Sequence, residues 1–123
     1  QSQCFKTANL IANKLNLSIN DYEIVFQSRF GKSEWIQPYL AERLEKLPLE
    51  NTKNIQVYCP GFPSDCLETI EEIGEESHDL FMESGGETYK FIPCLNGDKD
   101  FIDFLEILIK AHEKEKIDFR DLL

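Results

Sequence analysis

Basic residues are scarce in this chain, and so are long apolar runs. Its 123 residues hold 13 Lys and Arg against 23 Asp and Glu, a formal net charge of −10. A field of that sign repels phosphate backbones and anionic headgroups, which argues against nucleic-acid binding and against a polybasic membrane patch. No apolar stretch approaches the ~20 residues that a transmembrane segment requires. Cysteine is limited to Cys4, Cys59, Cys66 and Cys94. These lie far apart, with no C-x-x-C pair and no Cys…His spacing of a zinc site, so reduced thiols and an intracellular setting are expected. An initial Met and a signal peptide are both missing, and the chain is expected to be a piece of something longer. What is present, 41% hydrophobic and 29% charged residues, is the composition of a folded domain rather than an acidic tail. The length suits one core, a single domain over 1–123.

Apolar periodicity divides the chain into alternating elements. Phe5 to Leu17 has helical spacing and gives way to the polar "SIND". "YEIVFQS", Tyr22 to Ser28, is β-branched and aromatic and predicts a buried strand. Leu40, Leu44 and Leu47 mark one face of a short helix stopped by Pro48. "NIQVYCP" and "TYKFIPCL" predict two more strands, with a helix between them from Asp65 to about Ser84 that the Gly85-Gly86 pair ends. A last helix follows Asp98. The order α-β-α-β-α-β-α predicts an α/β fold, three-layer αβα with a short parallel sheet.

In such a sheet, ligands bind where strands run into helices. The loop after the first strand carries Ser28, Phe30 and Trp35, aromatic groups that can stack on a flat ligand or pack the loop onto the domain. The helix after "PGFPSD" places Glu68, Glu72 and Glu76 at i, i+4, i+8 beside its apolar stripe. Like charges so spaced destabilise a helix slightly, and a row of hard oxygen donors suits a divalent cation. The plainer alternative makes Glu68 the partner of Asp65 in a capping box, with Glu72 and Glu76 facing solvent. His78 and His112 have no partner at metal-ligand spacing, and Cys66 has the character of a small core residue.

"FQSRFGKSEWIQPY", then "CPGFPSDCLETIEEI" and "GGETYKFIPCLN", in this order and spacing, resemble the carboxyl-terminal half of the ferrochelatases, enzymes that insert ferrous iron into protoporphyrin IX to make haem. The resemblance covers Phe26 to Asn96. It implies a chelatase-like half-domain, one of two similar α/β halves about a porphyrin cleft. Glu68 matches the glutamate at the metal and porphyrin centre, and Glu72 and Glu76 match an acidic row that conducts metal or protons. Ser28, Phe30, Trp35 and Phe62 match residues that line the cleft. Cys66 stands where relatives carry other residues, His in some.

The family's catalytic histidine lies in a "SAHS"-like motif that this chain does not contain. The resemblance therefore implies a lyase of haem biosynthesis in which this chain supplies one wall, with the amino-terminal half as its necessary partner and no turnover by the chain alone. It implies porphyrin and Fe²⁺ as substrates and no permanently bound cofactor. No Cys follows Cys94, so no iron-sulfur cluster is expected. A bacterial-type cytoplasmic location, with room for peripheral membrane contact, fits these features. Two alternatives are a natural half-length protein that binds porphyrin or haem without metallating it, and a small chelatase that dimerises.

Overall fold

The computed structural model describes residues 2–27 and 36–115. Helix α1, Ser2–Lys14, turns Phe5, Ala8, Ile11 and Ala12 inward, with Ala12 buried. It stops short of Leu17. Asn16 takes φ 56°, its N–H returns to the Asn13 carbonyl at 3.2 Å, and the Leu17 N–H returns to Ala12 at 2.9 Å. That pair of bonds is a Schellman stop, with Asn in the left-handed conformation that glycine more often supplies.

The strand expected over Tyr22–Ser28 is not formed by the described part, which ends at Gln27. Phe26 makes one isolated parallel bridge to Tyr39. Its N–H bonds the Pro38 carbonyl at 2.9 Å, and its carbonyl accepts the Leu40 N–H at 3.0 Å. The backbone groups that a ladder would use are thus taken by the residues leading into helix α2, Leu40–Lys46. Side chains fix the segment instead. Tyr22 donates its hydroxyl to Asn9 at 2.9 Å, and the rings of Phe5 and Phe26 meet edge-on at 6.0 Å. Arg43 on α2 grips both oxygens of Glu23, each at 2.8 Å, and with Nη1 and Nη2 holds Glu50 at 3.1 and 2.9 Å. Such planar forks fix direction as well as distance.

The sheet therefore has two strands rather than three. Strands β1, Asn54–Tyr58, and β2, Thr88–Ile92, run parallel, Asn54 opposite Thr88 through to Tyr58 opposite Ile92. A parallel pair needs a long crossover. Here it is a continuous helical run of three parts: α3, Leu67–Thr69; a π-helical segment, Ile70–Glu76; and α4, Ser77–Glu83. Ile55, Val57, Tyr89 and Phe91 turn to the core, where Leu40, Leu44, Cys59, Ile73, Phe81 and Cys94 are buried together. The expected small α/β domain with a short parallel sheet is present. Gln56, Tyr58 and Lys90, on the other face, are exposed, so a third layer is not in place there among the described residues.

Helix α5, Lys99–Glu115, begins where the Asp98 carboxylate accepts the Asp100 N–H at 2.9 Å. Its Ile102, Phe104, Ile107 and Ile109 are exposed, as are Leu10 on α1 and Leu15 just after it. Among the described residues no helix is long and apolar enough to cross a membrane.

The stop predicted at Gly85-Gly86 forms in full. Gly85, at φ 100°, bonds Met82, and Gly86 bonds Phe81, at 3.1 and 3.0 Å. A Cβ on Gly86 would lie 2.3 Å from ring carbons of Phe81, a side chain with no exposed surface. Gly86→Ala should therefore lower stability by about 3 kcal/mol, the cost of overpacking a filled core. Gly97→Ala, where nothing lies within 4 Å, should be close to neutral. Urea midpoints of the two variants measure the contrast.

Candidate active site

The acidic helix begins where β1 ends. After Tyr58 the chain turns through Cys59-Pro60-Gly61, closed by the Phe62 N–H on the Cys59 carbonyl at 3.1 Å. In the plainer alternative Asp65 was the cap, but the cap position is Cys66, with extended backbone. The Cys66 N–H bonds Thr69 Oγ1 at 2.9 Å, so Thr69 takes the place in the capping box that Glu68 was a candidate for. Asp65, one residue earlier, serves a different end. Its Oδ1 accepts from the Thr69 hydroxyl at 3.1 Å and from the Cys94 N–H at 3.2 Å, and its Oδ2 accepts from the Asn96 amide at 2.7 Å. Asn96 answers through Oδ1, which takes the Asp65 N–H at 2.8 Å. Asn96 sits at φ 50°, which Asn tolerates better than most residues. This clasp ties the start of the helix to the loop after β2. Both strand ends are thereby brought to one place.

Glu68 is freed from capping and exposed. Hydrogen bonds from the Cys66 thiol and from its own backbone N–H hold its carboxyl below the usual range. Glu72 is half-buried and Glu76 exposed. Both lie in the π-helical segment, where N–H groups reach carbonyls five residues back, so residues four and five apart become neighbours. The i, i+4, i+8 row therefore runs along a widened helix. Among the described residues no three of His, Cys, Asp and Glu converge as a metal cage. The carboxylates form a line rather than a coordination sphere.

Two buried thiols lie just after the strand ends. Burial pushes the Cys59 thiol up to about 11, and burial with the nearby Asp65 charge pushes Cys94 to about 11. Neither is a thiolate near neutral pH. Phe62 is half-buried against the core cluster, which gives its ring a packing role besides any contact with ligand. Ser28, Phe30 and Trp35 lie outside the described residues. His78 Nδ1 pairs with Asp79 at 2.9 Å, and His112 donates to the Leu108 carbonyl at 2.9 Å. Among the described residues, two shallow apolar hollows lie along α1 and the residue after it, lined by Thr7, Leu10, Ile11, Lys14 and Leu15, and on α5. Neither is at the acidic helix.

Sequence patterns did not point to Gln27. Its Nε2 donates to the Glu68 carbonyl at 3.0 Å, and its Oε1 accepts from the Cys59 thiol at 3.7 Å. It thus joins the expected binding loop, the end of β1 and the start of the acidic helix. Its place just before Ser28, at the close of an apolar run, was the available signal.

A family profile described as Ferrochelatase matches residues 1–113. The chain belongs to the ferrochelatase family. It is 52% identical over 108 residues to the ferrochelatase of Idiomarina loihiensis and 53% identical over 108 residues to that of Marinobacter nauticus. To ferrochelatase 1 of Shewanella oneidensis it is 47% identical over 115 residues. These alignments cover 88%, 88% and 94% of this chain but 30%, 29% and 34% of those ferrochelatases. The chain spans about a third of the length of the relatives it matches, less than the half that the resemblance implied.

The Asp65 clasp makes a pH prediction. Hydrogen bonds from Asn96, Cys94 and Thr69 hold the Asp65 carboxyl below its usual value. Its folded-state pKa is depressed, so the stabilisation is complete above the unfolded-state value of about 3.9 and is lost as pH falls through the folded-state value. The urea midpoint should thus decline below about pH 4, and Asp65→Asn should flatten that decline. Asn96→Ala should cost about 2 kcal/mol at neutral pH through lost hydrogen bonds and left-handed backbone strain. An unchanged acid limb in Asp65→Asn would count against the clasp.

Proposed function

We propose that this chain is the carboxyl-terminal, acidic wall of a ferrochelatase, the enzyme that inserts Fe²⁺ into protoporphyrin IX. The observation that carries this reading is the row Glu68, Glu72 and Glu76 on a helix widened at the strand ends. The row stands in a chain about half identical to proteins named ferrochelatase.

Metallation of a porphyrin requires removal of two pyrrole N–H protons and delivery of a metal ion stripped of water. Glu68 stands at the start of the row with its carboxylate uncommitted to capping, and in this reading it is the base on one face of the macrocycle. A histidine from the remainder of the protein faces it, as the family resemblance implies. Glu76 and Glu72 exchange oxygen ligands with the incoming iron and hand it on toward Glu68. A line of carboxylates suits transit better than a closed cage, which would hold the ion. Ser28, Phe30, Trp35 and Phe62 are assigned to the porphyrin, the first three beyond the described residues. Iron is a substrate here.

In the full-length protein, Glu68→Gln should lower kcat by ~10²-fold or more, the scale of a lost general base, with porphyrin affinity nearly unchanged. Glu72→Gln and Glu76→Gln should act chiefly on the KM for iron. Steady-state insertion assays, with melting temperatures beside them, make the test. A Glu68→Gln enzyme that turns over normally would reduce the row to scaffold. This chain alone should insert no iron or zinc.

A further inference from the structure

The passage from π-turn to α-turn leaves one carbonyl over. In an α-helix the Ser77 N–H would bond Ile73. It passes over that carbonyl and bonds Glu72 instead, where the Ser77 hydroxyl joins it at 2.7 Å. Ile73 is only 1% exposed, so its carbonyl has little recourse to solvent, and a buried carbonyl without a partner is costly. The Tyr89 hydroxyl fills the gap, donating to Ile73 at 2.6 Å.

Tyr89 is well fixed for this. It stands on β2 opposite Ile55, and its ring meets His78 edge-on at 5.7 Å and Phe81 at 6.0 Å. Burial pushes its phenol above the usual range, so it remains a donor at any working pH. The two registers of the helix then differ in a definite way. The wide register needs a donor for Ile73, and the α register needs none. Phe81 is fully buried and abuts Gly86, so α4 cannot turn to absorb a change of register. The stretch carrying Glu68 and Glu72 would have to absorb it.

We propose that Tyr89 is a positioning residue: by bonding the Ile73 carbonyl it holds the helix in the wide register and so sets the placement of Glu68 and Glu72 relative to Glu76. This rests on the acidic-row reading above, and it adds a residue on the neighbouring strand that packs against the core and acts through the backbone of the helix.

The test uses the full-length protein bearing this segment. Crystal structures of wild type and Tyr89→Phe report whether the Ser77 N–H bonds Glu72 or Ile73. The variant should move to Ile73, and its KM for iron should rise by about fivefold or more, the ratio that one ordinary hydrogen bond sets, with porphyrin KM little changed. Tyr89→4-aminophenylalanine keeps a ring-borne donor and the packing, and it should restore both register and KM. It also serves if Tyr89→Phe does not fold. Retention of the Glu72 bond in Tyr89→Phe overturns the proposal, as does a shifted register with an unchanged KM for iron. An aminophenylalanine variant that folds in the shifted register also overturns it. If Glu68→Gln is impaired in that event, only the Tyr89 proposal falls. If Glu68→Gln is silent as well, the acidic-row reading falls with it.

Discussion

The arrangement of this domain depends on one carboxylate. Asp65 receives donors from Thr69 within the same turn and from Cys94 and Asn96 beyond the second strand. Without it, the helix start and the loop after β2 would be joined only by the two-stranded sheet and by two bonds at Asn96, its N–H on the Pro63 carbonyl at 3.0 Å and its Oδ1 on the Asp65 N–H at 2.8 Å. Isolated strand pairs are marginal, and this one is short. The clasp closes a ring: β1, the helical run and β2 return the chain to where the run began. Everything assigned to the site, from Gln27 on the Glu68 carbonyl to the widened turn beyond it, hangs on that ring.

The helical run shows how backbone bookkeeping can shape a surface. A regular helix with apolar residues inward and Glu68, Glu72 and Glu76 along one flank would satisfy its own ladder and repel itself mildly. The π-turn spends a carbonyl to change the spacing. It is tolerated because the next strand supplies a phenol and a buried serine doubles the bond at Glu72. Turns of this kind are frequent at functional sites. Here the irregular stretch coincides with residues of the acidic row, and the buried Cys59 and Cys94 thiols stay protonated near neutral pH.

Much of the fold was legible from local signals with a simple physical cause. Gly85-Gly86 had to end a helix, and Leu40 and Leu44 had to face a core. Three things were not legible. The segment from Tyr22 has strand composition, but pairing depends on which backbone groups are already taken, and Phe26 spends its own on Pro38 and Leu40. The capping place went to Cys66 because Asp65 had a richer set of partners in a distant loop. The π register left no mark in the run "IEEIGEE", since its cause lies in Tyr89, on another element. Of the candidate site, the i, i+4, i+8 spacing of Glu68, Glu72 and Glu76 was visible in the sequence, with capping and solvent exposure left open beside it, whereas Gln27, Thr69 and Asn96 act through contacts of long range or through the backbone.

Asn96 carries a consequence for the lifetime of the molecule. It donates one hydrogen bond to Asp65 and accepts another from the same residue, and Gly97 follows it. Hydrolysis of this one side-chain amide, water entering and ammonia leaving, would exchange a donor for an oxygen and set two carboxylates face to face, where like charges oppose each other. The joint that fastens the site would then push its two loops apart. The same bonds that make Asn96 structural also hold its amide in place, so the chemical ageing of this joint and the anchorage of the acidic helix meet at a single residue.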